Sequence, residues 1–151
     1  MRSALLLGTL ALALLAAPAG AAEHEVKMLN SIQNDGVVEL MVFEPPFIKV
    51  EPGDTINFVP TDAAHNTASS YVPDSAETWN SPTGEPFSVT FQEEGIYLYN
   101  CQPHMALGMF GVVQVGKPVN LDTAKEQAKT IGATAAMNGD RLSKYLEQVQ
   151  P

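Results

Sequence analysis

The spacing of apolar and polar residues along the chain predicts an all-β domain. Apolar side chains recur at every second position in short runs, which is the period of a strand with one buried face. Turn-forming residues such as Asn34-Asp35-Gly36 and Pro52-Gly53-Asp54 separate these runs, as expected for a sandwich of paired strands. Eight strands are predicted, over residues 25–29, 38–43, 48–51, 55–59, 66–70, 87–91, 96–101 and 112–115.

The pattern changes after Lys117-Pro118, where helix-favouring Ala, Lys, Glu, Gln and Leu take over. A first helix is predicted over residues 123–130, capped by Asp122, and a second one starts near Asn138-Gly139-Asp140. In the second helix, apolar residues recur with the period of an amphipathic helix, at Leu142, Tyr145, Leu146 and Val149. We therefore divide the mature chain into a β-sandwich (residues 22–117) and a helical extension packed on it (residues 118–151).

The first 21 residues have the features of a cleaved secretory signal peptide. Arg2 precedes an apolar run over residues 4–17, and Ala19-Gly20-Ala21 fits the small-residue cleavage rule. Cleavage is expected after Ala21, or after Ala22 as a second choice. The alternative is an uncleaved membrane anchor, but a spanning helix usually needs about 20 apolar residues. We expect a mature monomer in the periplasm, without a membrane span.

The charge is strongly acidic and unevenly distributed. The net charge is −9, and residues 52–116 contain no Lys or Arg although seven acidic residues lie there. Such a field repels anionic partners and attracts basic ones. Nucleic acid binding is excluded, because it depends on Lys and Arg that neutralise phosphate.

The only cysteine, Cys101, is followed by His104 and Met109. A lone thiol in an exported protein calls for an intermolecular disulfide, reactivity or a metal. Thiolate, imidazole and thioether are the ligands of a blue copper site, which adds a second histidine. His65 is the candidate, because its loop follows a strand and can reach the same end of a sandwich. His24 lies beside the mature N-terminus and is treated as a surface residue.

This arrangement resembles the small blue copper proteins, the cupredoxins. The Cys-x2-His-x4-Met spacing is shared by plastocyanins and pseudoazurins. The segments Met41-Val42-Phe43-Glu44-Pro45 and Pro60-Thr61-Asp62 with His65-Asn66, together with the two C-terminal helices, are similar to pseudoazurins. The resemblance covers nearly all of the mature chain and implies a Greek-key β-sandwich of about eight strands with two C-terminal helices.

The resemblance implies one type I copper ion, held by His65, Cys101 and His104 with Met109 as a long axial ligand. It further implies that Asn66 ties the two ligand loops together and that Met41 packs near a ligand histidine. Pro103 would stiffen the ligand loop. Met105 does not have the axial spacing of the family and is assigned to packing or surface.

The implied function is a periplasmic carrier of single electrons, not an enzyme. Electrons would pass at the exposed edge of His104, and redox partners would dock on an apolar patch around it, formed by Pro103, Met105, Ala106, Leu107 and Phe110. The partners implied by the family are copper nitrite reductase and c-type cytochromes. Pseudoazurins usually carry lysines around this edge, whereas this chain has Ala63, Asn80 and Asn100 near such positions. We therefore expect a partner with a basic or apolar face, such as a c-type cytochrome.

Three other interpretations of the same residues remain. A copper-delivery protein would bind the metal in an open site, usually rich in Met and His, and no such cluster lies outside the loop. A Cys-His enzyme would use Cys101 as nucleophile and His104 as base, but it leaves His65 and Met109 without a role. A zinc site is a third possibility, although structural zinc usually takes closed sets of Cys and His only.

Overall fold

The computed structural model describes residues 20–151, which form two four-stranded sheets and a C-terminal helical layer. The predicted signal peptide lies outside the described residues except for its last two positions. Within residues 20–151 no helix is long and apolar enough to cross a membrane. The elements are β1 (Glu23–Asn34), β2 (Val37–Glu44), β3 (Phe47–Val50), β4 (Thr55–Pro60), β5 (Ala68–Tyr71), β6 (Phe87–Thr90), β7 (Gly95–Asn100), β8 (Phe110–Val115), α1 (Leu121–Gly132) and α2 (Arg141–Leu146).

The eight predicted strands are confirmed, and they pair across the chain rather than only with their sequence neighbours. One sheet has the order β2-β1-β4-β6 and the other β3-β8-β7-β5. The pairs β1–β4 and β3–β8 are parallel, whereas the remaining pairs are antiparallel. This mixed pairing brings loops that are distant in sequence to one end of the sandwich, which is the arrangement a metal site needs.

Strands β7 and β8 are buried on both faces. They separate a first core, which lies between the two sheets, from a second core, which lies between β7, β8 and the helices. Tyr97, Tyr99 and Cys101 point between the sheets, whereas Ile96 and Leu98 point toward the helices. This split follows from the two-residue period of a strand. Between the sheets, the ring of Tyr99 contacts those of Phe43 and Phe58, with centroid separations of 4.7 and 5.3 Å.

The two helices cover the outer face of the sheet formed by β3, β8, β7 and β5. Ala124 and Ala128 of α1 and Leu142 and Leu146 of α2 are buried in the second core. The expected Asp122 cap is wrong, because α1 begins at Leu121, after Asn120. The Asn120 side chain does not cap its own helix. It accepts from the Ile96 N–H at 2.7 Å and donates to the Ile96 carbonyl at 3.1 Å, and so fixes the helical layer to β7.

The N-terminal strand is longer and better anchored than the sequence indicated. β1 extends to Asn34, although residues 30–34 are mostly exposed and therefore show no burial pattern. His24, expected as a surface residue, lies within β1 with its Nε2 2.9 Å from an Asp54 carboxylate oxygen. That carboxylate also accepts from the backbone N–H groups of Ala22 and Glu51. These hydrogen bonds lower the pKa of Asp54 to about 2.

Candidate metal centre

The segment from Cys101 to Met109 forms a tight loop between β7 and β8. Its residues Gln102–Leu107 form a 3₁₀ helix with a proline in the first turn, where a missing N–H is tolerated. The sequence did not predict this helix. Gly108 ends it in a left-handed conformation with φ of 74°. The N–H of Cys101 then donates to the Met109 carbonyl at 3.0 Å, which closes the loop at its base.

The loop that follows β4 brings His65 to the same place. Ala64 has a φ of 67°, which turns the chain inward before His65, and the His65 carbonyl accepts from the Gly84 N–H at 2.7 Å. His65 and Cys101 are wholly buried, whereas His104 is partly exposed. The predicted second histidine thus lies beside the Cys101 loop.

Three ligand atoms converge: Nδ1 of His65, Sγ of Cys101 and Nδ1 of His104. The two nitrogens are 3.1 Å apart, and the sulfur lies 3.7 Å from His65 and 3.4 Å from His104. A point equidistant from all three atoms lies about 2.0 Å from each, close to the lengths of bonds from metals to imidazole nitrogen and thiolate sulfur, about 2.0–2.3 Å. The triangle therefore has the size of a three-coordinate metal site.

The His65 imidazole is oriented for ligation through Nδ1. The Nε2 of His65 lies 3.1 Å from Oδ1 of Asn30, an oxygen that can only accept, so this contact requires a proton on Nε2 and leaves the Nδ1 lone pair free. Burial and then the neighbouring His104 lower the pKa of His65, with Asp62 acting in the opposite direction. The neutral form is the one that binds metals. Asn30 was missed by sequence reasoning, because it lies in an exposed strand 35 residues away.

Asn66 joins three loops around the site. Its Oδ1 accepts from the Gln102 N–H at 2.8 Å. Its Nδ2 donates to side-chain oxygens of Gln102 and Asn80, and to the backbone carbonyl of Ser81. The contact that the family resemblance implied is therefore present, and it extends to a third loop.

The environment of Cys101 suits a metal ligand better than a nucleophile. Burial raises the pKa of its thiol, and hydrogen bonds from the backbones of Asn66 and His104 offset part of this rise. A catalytic thiol needs a lowered pKa and access for a substrate. The Cys101 thiol has neither, since it lies in the core between the sheets together with Met109.

The rim of the site is apolar, with one correction to the predicted docking patch. Pro103 and Ala106 are exposed, and Met105 and Leu107 are half-buried. Phe110, expected in the patch, is 1% exposed and belongs to the second core. It starts β8, where pairing with Asn100 directs its side chain under the helices.

Comparisons with known proteins agree with this geometry. A family model described as copper binding proteins, plastocyanin/azurin family, matches residues 26–116. The chain is 49% identical over 118 residues to a pseudoazurin of Paracoccus pantotrophus, covering 76% of this chain and 79% of that protein. It is 38% identical to a putative pseudoazurin of Rhizobium leguminosarum bv. viciae, covering 100% and 95%.

The fold is likewise similar to solved structures. Crystal structures of pseudoazurins from Methylobacterium extorquens AM1 and Hyphomicrobium denitrificans both superpose with a TM-score of 0.71. Their identities to this chain are 36% and 38%, and each comparison covers 85% of this chain and 99% of the other. The predicted all-β sandwich with two C-terminal helices is therefore confirmed.

Proposed function

This chain belongs to the plastocyanin/azurin family of copper-binding proteins, and from that premise we propose a periplasmic electron carrier whose copper is held by His65, Cys101, His104 and Met109. That it binds copper and carries electrons, and is not an enzyme, follows from the family. The ligand set, the location and the docking partner are our proposal.

The observation that supports this ligand set is the close spacing of the ligand atoms of His65, Cys101 and His104. Two imidazole nitrogens and one thiolate sulfur lie at the spacing of one metal ion, and Asn30 and Asn66 accept hydrogen bonds that hold their loops. Bound copper would supply a Cu(I)/Cu(II) couple that takes up and releases one electron. The chain would keep the ligands nearly fixed between the two states, so that little rearrangement accompanies transfer.

Met109 is proposed as the axial ligand because its backbone is hydrogen-bonded to the backbones of Cys101 and His104. The Met109 carbonyl accepts from Cys101, and its N–H donates to the His104 carbonyl at 3.3 Å. The side chain is wholly buried in the core that contains Cys101. Zinc sites are built from Cys, His, Asp and Glu, so a zinc site would not include this thioether.

The ligand set is tested by the visible spectrum of the Cu(II)-loaded protein. We expect an intense thiolate-to-copper band near 600 nm (roughly, for a His₂Cys site), lost in Cys101→Ser and altered in Met109→Leu. Met105→Leu is the matched control, because Met105 lies in the same loop but is not a proposed ligand. A band that survives Cys101→Ser, or a Met105→Leu spectrum altered as much as that of Met109→Leu, would contradict the assignment.

We propose that the partner docks at the partly exposed edge of His104 and offers a basic face. The apolar rim of Pro103, Met105, Ala106 and Leu107 provides a contact surface of the kind used in transient complexes. No cation lies in residues 52–116, which include both ligand loops. Of the two partner classes implied by the family, this favours a basic c-type cytochrome over an acidic copper nitrite reductase.

The dependence of electron-transfer rate on salt tests this partner. With a basic cytochrome, the second-order rate should fall as ionic strength rises, because attraction is screened. Ala63→Lys should weaken this dependence, whereas Thr130→Lys, on an exposed face of α1, adds the same charge away from the site. A rate that rises with salt would refute the proposal.

Periplasmic export is proposed from the signal-like residues 1–21. It predicts that the protein isolated from the periplasmic fraction begins at Ala22 or Glu23. N-terminal sequencing of that fraction is the test, and a chain that retains residues 1–21 would refute processing.

A further inference from the structure

The helical extension binds three consecutive backbone carbonyls of the ligand loop. The Ala106 carbonyl accepts from the N–H groups of Ala136 and Met137, at 2.8 and 3.1 Å. The Leu107 carbonyl accepts from the Asn138 side chain at 3.1 Å. The Gly108 carbonyl, directly before Met109, accepts from Nη1 of Arg141 at 3.0 Å. The extension thus contacts the loop's backbone as well as the apolar face of the sheet.

Arg141 also donates hydrogen bonds to the backbone of strand β2. The same Nη1 donates to the Met41 carbonyl at 2.9 Å, and Nη2 donates to the Leu40 carbonyl at 3.0 Å. The guanidinium is buried, with 7% of the residue exposed. One buried cation therefore joins strand β2 to the residue that precedes Met109.

The bond to Met41 coincides with an interruption of the β1–β2 ladder. The register passes from Leu29–Val42 to Ser31–Leu40, so Met41 stands opposite Asn30, the partner of His65. Met41 has a φ of 50°, which is costly for a residue with a side chain. Such a conformation persists only where the surroundings hold it, and Arg141 supplies a donor for the redirected carbonyl.

We propose that Arg141 is a positioning residue for the copper site, which fixes the Gly108–Met109 backbone relative to Met41 and so sets the position of the axial thioether. This inference rests on the ligand set proposed above. Because an axial thioether is a weak and long ligand, its position is set by the protein more than by the metal. A planar guanidinium can hold carbonyls on both sides at once, whereas an ammonium on a flexible stem cannot fix the same geometry.

The test compares Arg141→Met and Arg141→Lys with two controls on the same helix. Lys144→Met removes an equal charge at an exposed position, and Leu142→Ala weakens the packing of α2 without touching the loop carbonyls. Asn138→Gly is a second loop variant: it removes the donor to Leu107, and glycine accepts the φ of 55° at this position. The measurements are the Cu(II) absorption and electron paramagnetic resonance spectra, and the rate of copper loss to a chelator.

Both Arg141 variants should redistribute intensity among the thiolate-to-copper bands. They should also lose copper about tenfold faster, which is the scale of the effect on metal affinity when the hydrogen-bond partners of metal ligands are removed. Asn138→Gly should shift the spectra in the same direction by less. If the Arg141 variants do not fold, this variant tests whether the helical extension positions the ligand loop. Lys144→Met and Leu142→Ala should keep the parent spectrum.

Parent-like spectra in Arg141→Met, Arg141→Lys and Asn138→Gly would overturn the role of Arg141. A shift of equal size in Leu142→Ala would overturn it as well. A parent protein without an intense band would instead refute the ligand set, so the two failures are distinguishable.

Discussion

Removing the Asn66 side chain should destabilise the protein far more than the loss of one surface hydrogen bond. Asn66→Ala leaves two backbone groups without their partner, the N–H of Gln102 and the carbonyl of Ser81. It also removes two contacts with side-chain oxygens, on Gln102 and Asn80. Asn66 itself is 2% exposed, so water does not readily replace these bonds.

The expected loss follows from the cost of unsatisfied buried groups. Each backbone group left without a partner costs about 1–3 kcal/mol, so the loss of two should lower the free energy of unfolding of Asn66→Ala by about 2–6 kcal/mol. The control is Asn80→Ala, which removes one exposed partner of Asn66 and leaves its backbone contacts in place. That variant should lose about 1 kcal/mol or less.

Urea unfolding of the apo-protein measures this difference, and the reactivity of Cys101 localises it. Since Asn66 joins the loops that cover the thiol, a thiol reagent should modify Cys101 of apo Asn66→Ala about tenfold faster or more, whereas Asn80→Ala should react at nearly the parent rate. Equal urea midpoints for the two variants would refute the role assigned to Asn66.

Two further predictions concern stability away from the metal. The pKa of Asp54 is about 2 in the folded protein against 3.8 ordinarily, so its charged form stabilises the fold above about pH 4, and this contribution is lost as the pH falls toward 2. Asp54→Asn should therefore lower the free energy of unfolding by about 1–2 kcal/mol at neutral pH and by little near pH 2. The control Asp74→Asn, at an exposed position, should have little effect at either pH. A loss of stability in Asp54→Asn that does not change with pH, in thermal or urea unfolding, would contradict this. Gly111→Ala places a Cβ in steric conflict with the ring of Tyr99, which is fixed between other aromatic rings. It should lower the free energy of unfolding in urea by about 2 kcal/mol or more, and an unchanged midpoint would contradict this.

Much of the fold follows from local pattern. Alternation locates most of the strands, because one face of nearly every strand packs in a core. The apolar stripe of Leu142, Tyr145 and Leu146 located α2 for the same reason. The strand near residues 66–70 is the exception, since the stretch around it shows little periodicity. The errors lie where burial does not constrain the sequence, as in the exposed second half of β1 and in the 3₁₀ helix after Cys101.

The candidate ligands could be chosen from the sequence, because Cys101, His104 and Met109 are closely spaced and His65 follows a strand. The residues that support them could not. Asn30 and Arg141 act through contacts spanning 35 and about 100 residues, and no periodicity marks such pairs. The role of Arg141 was also not predicted because it lies in a helix whose apolar residues were sufficient to explain the packing. Phe110 shows the reverse error: it follows the ligand loop in sequence, yet β8 turns it into the second core.

We propose that one closed site holds copper in both oxidation states. Optical redox titration of the copper-loaded protein, with the copper content measured after each cycle, tests it directly. We expect the uptake of one electron per chain, reversible bleaching of the thiolate-to-copper band and full retention of copper. Loss of copper on reduction would contradict it and would favour copper delivery over electron transfer.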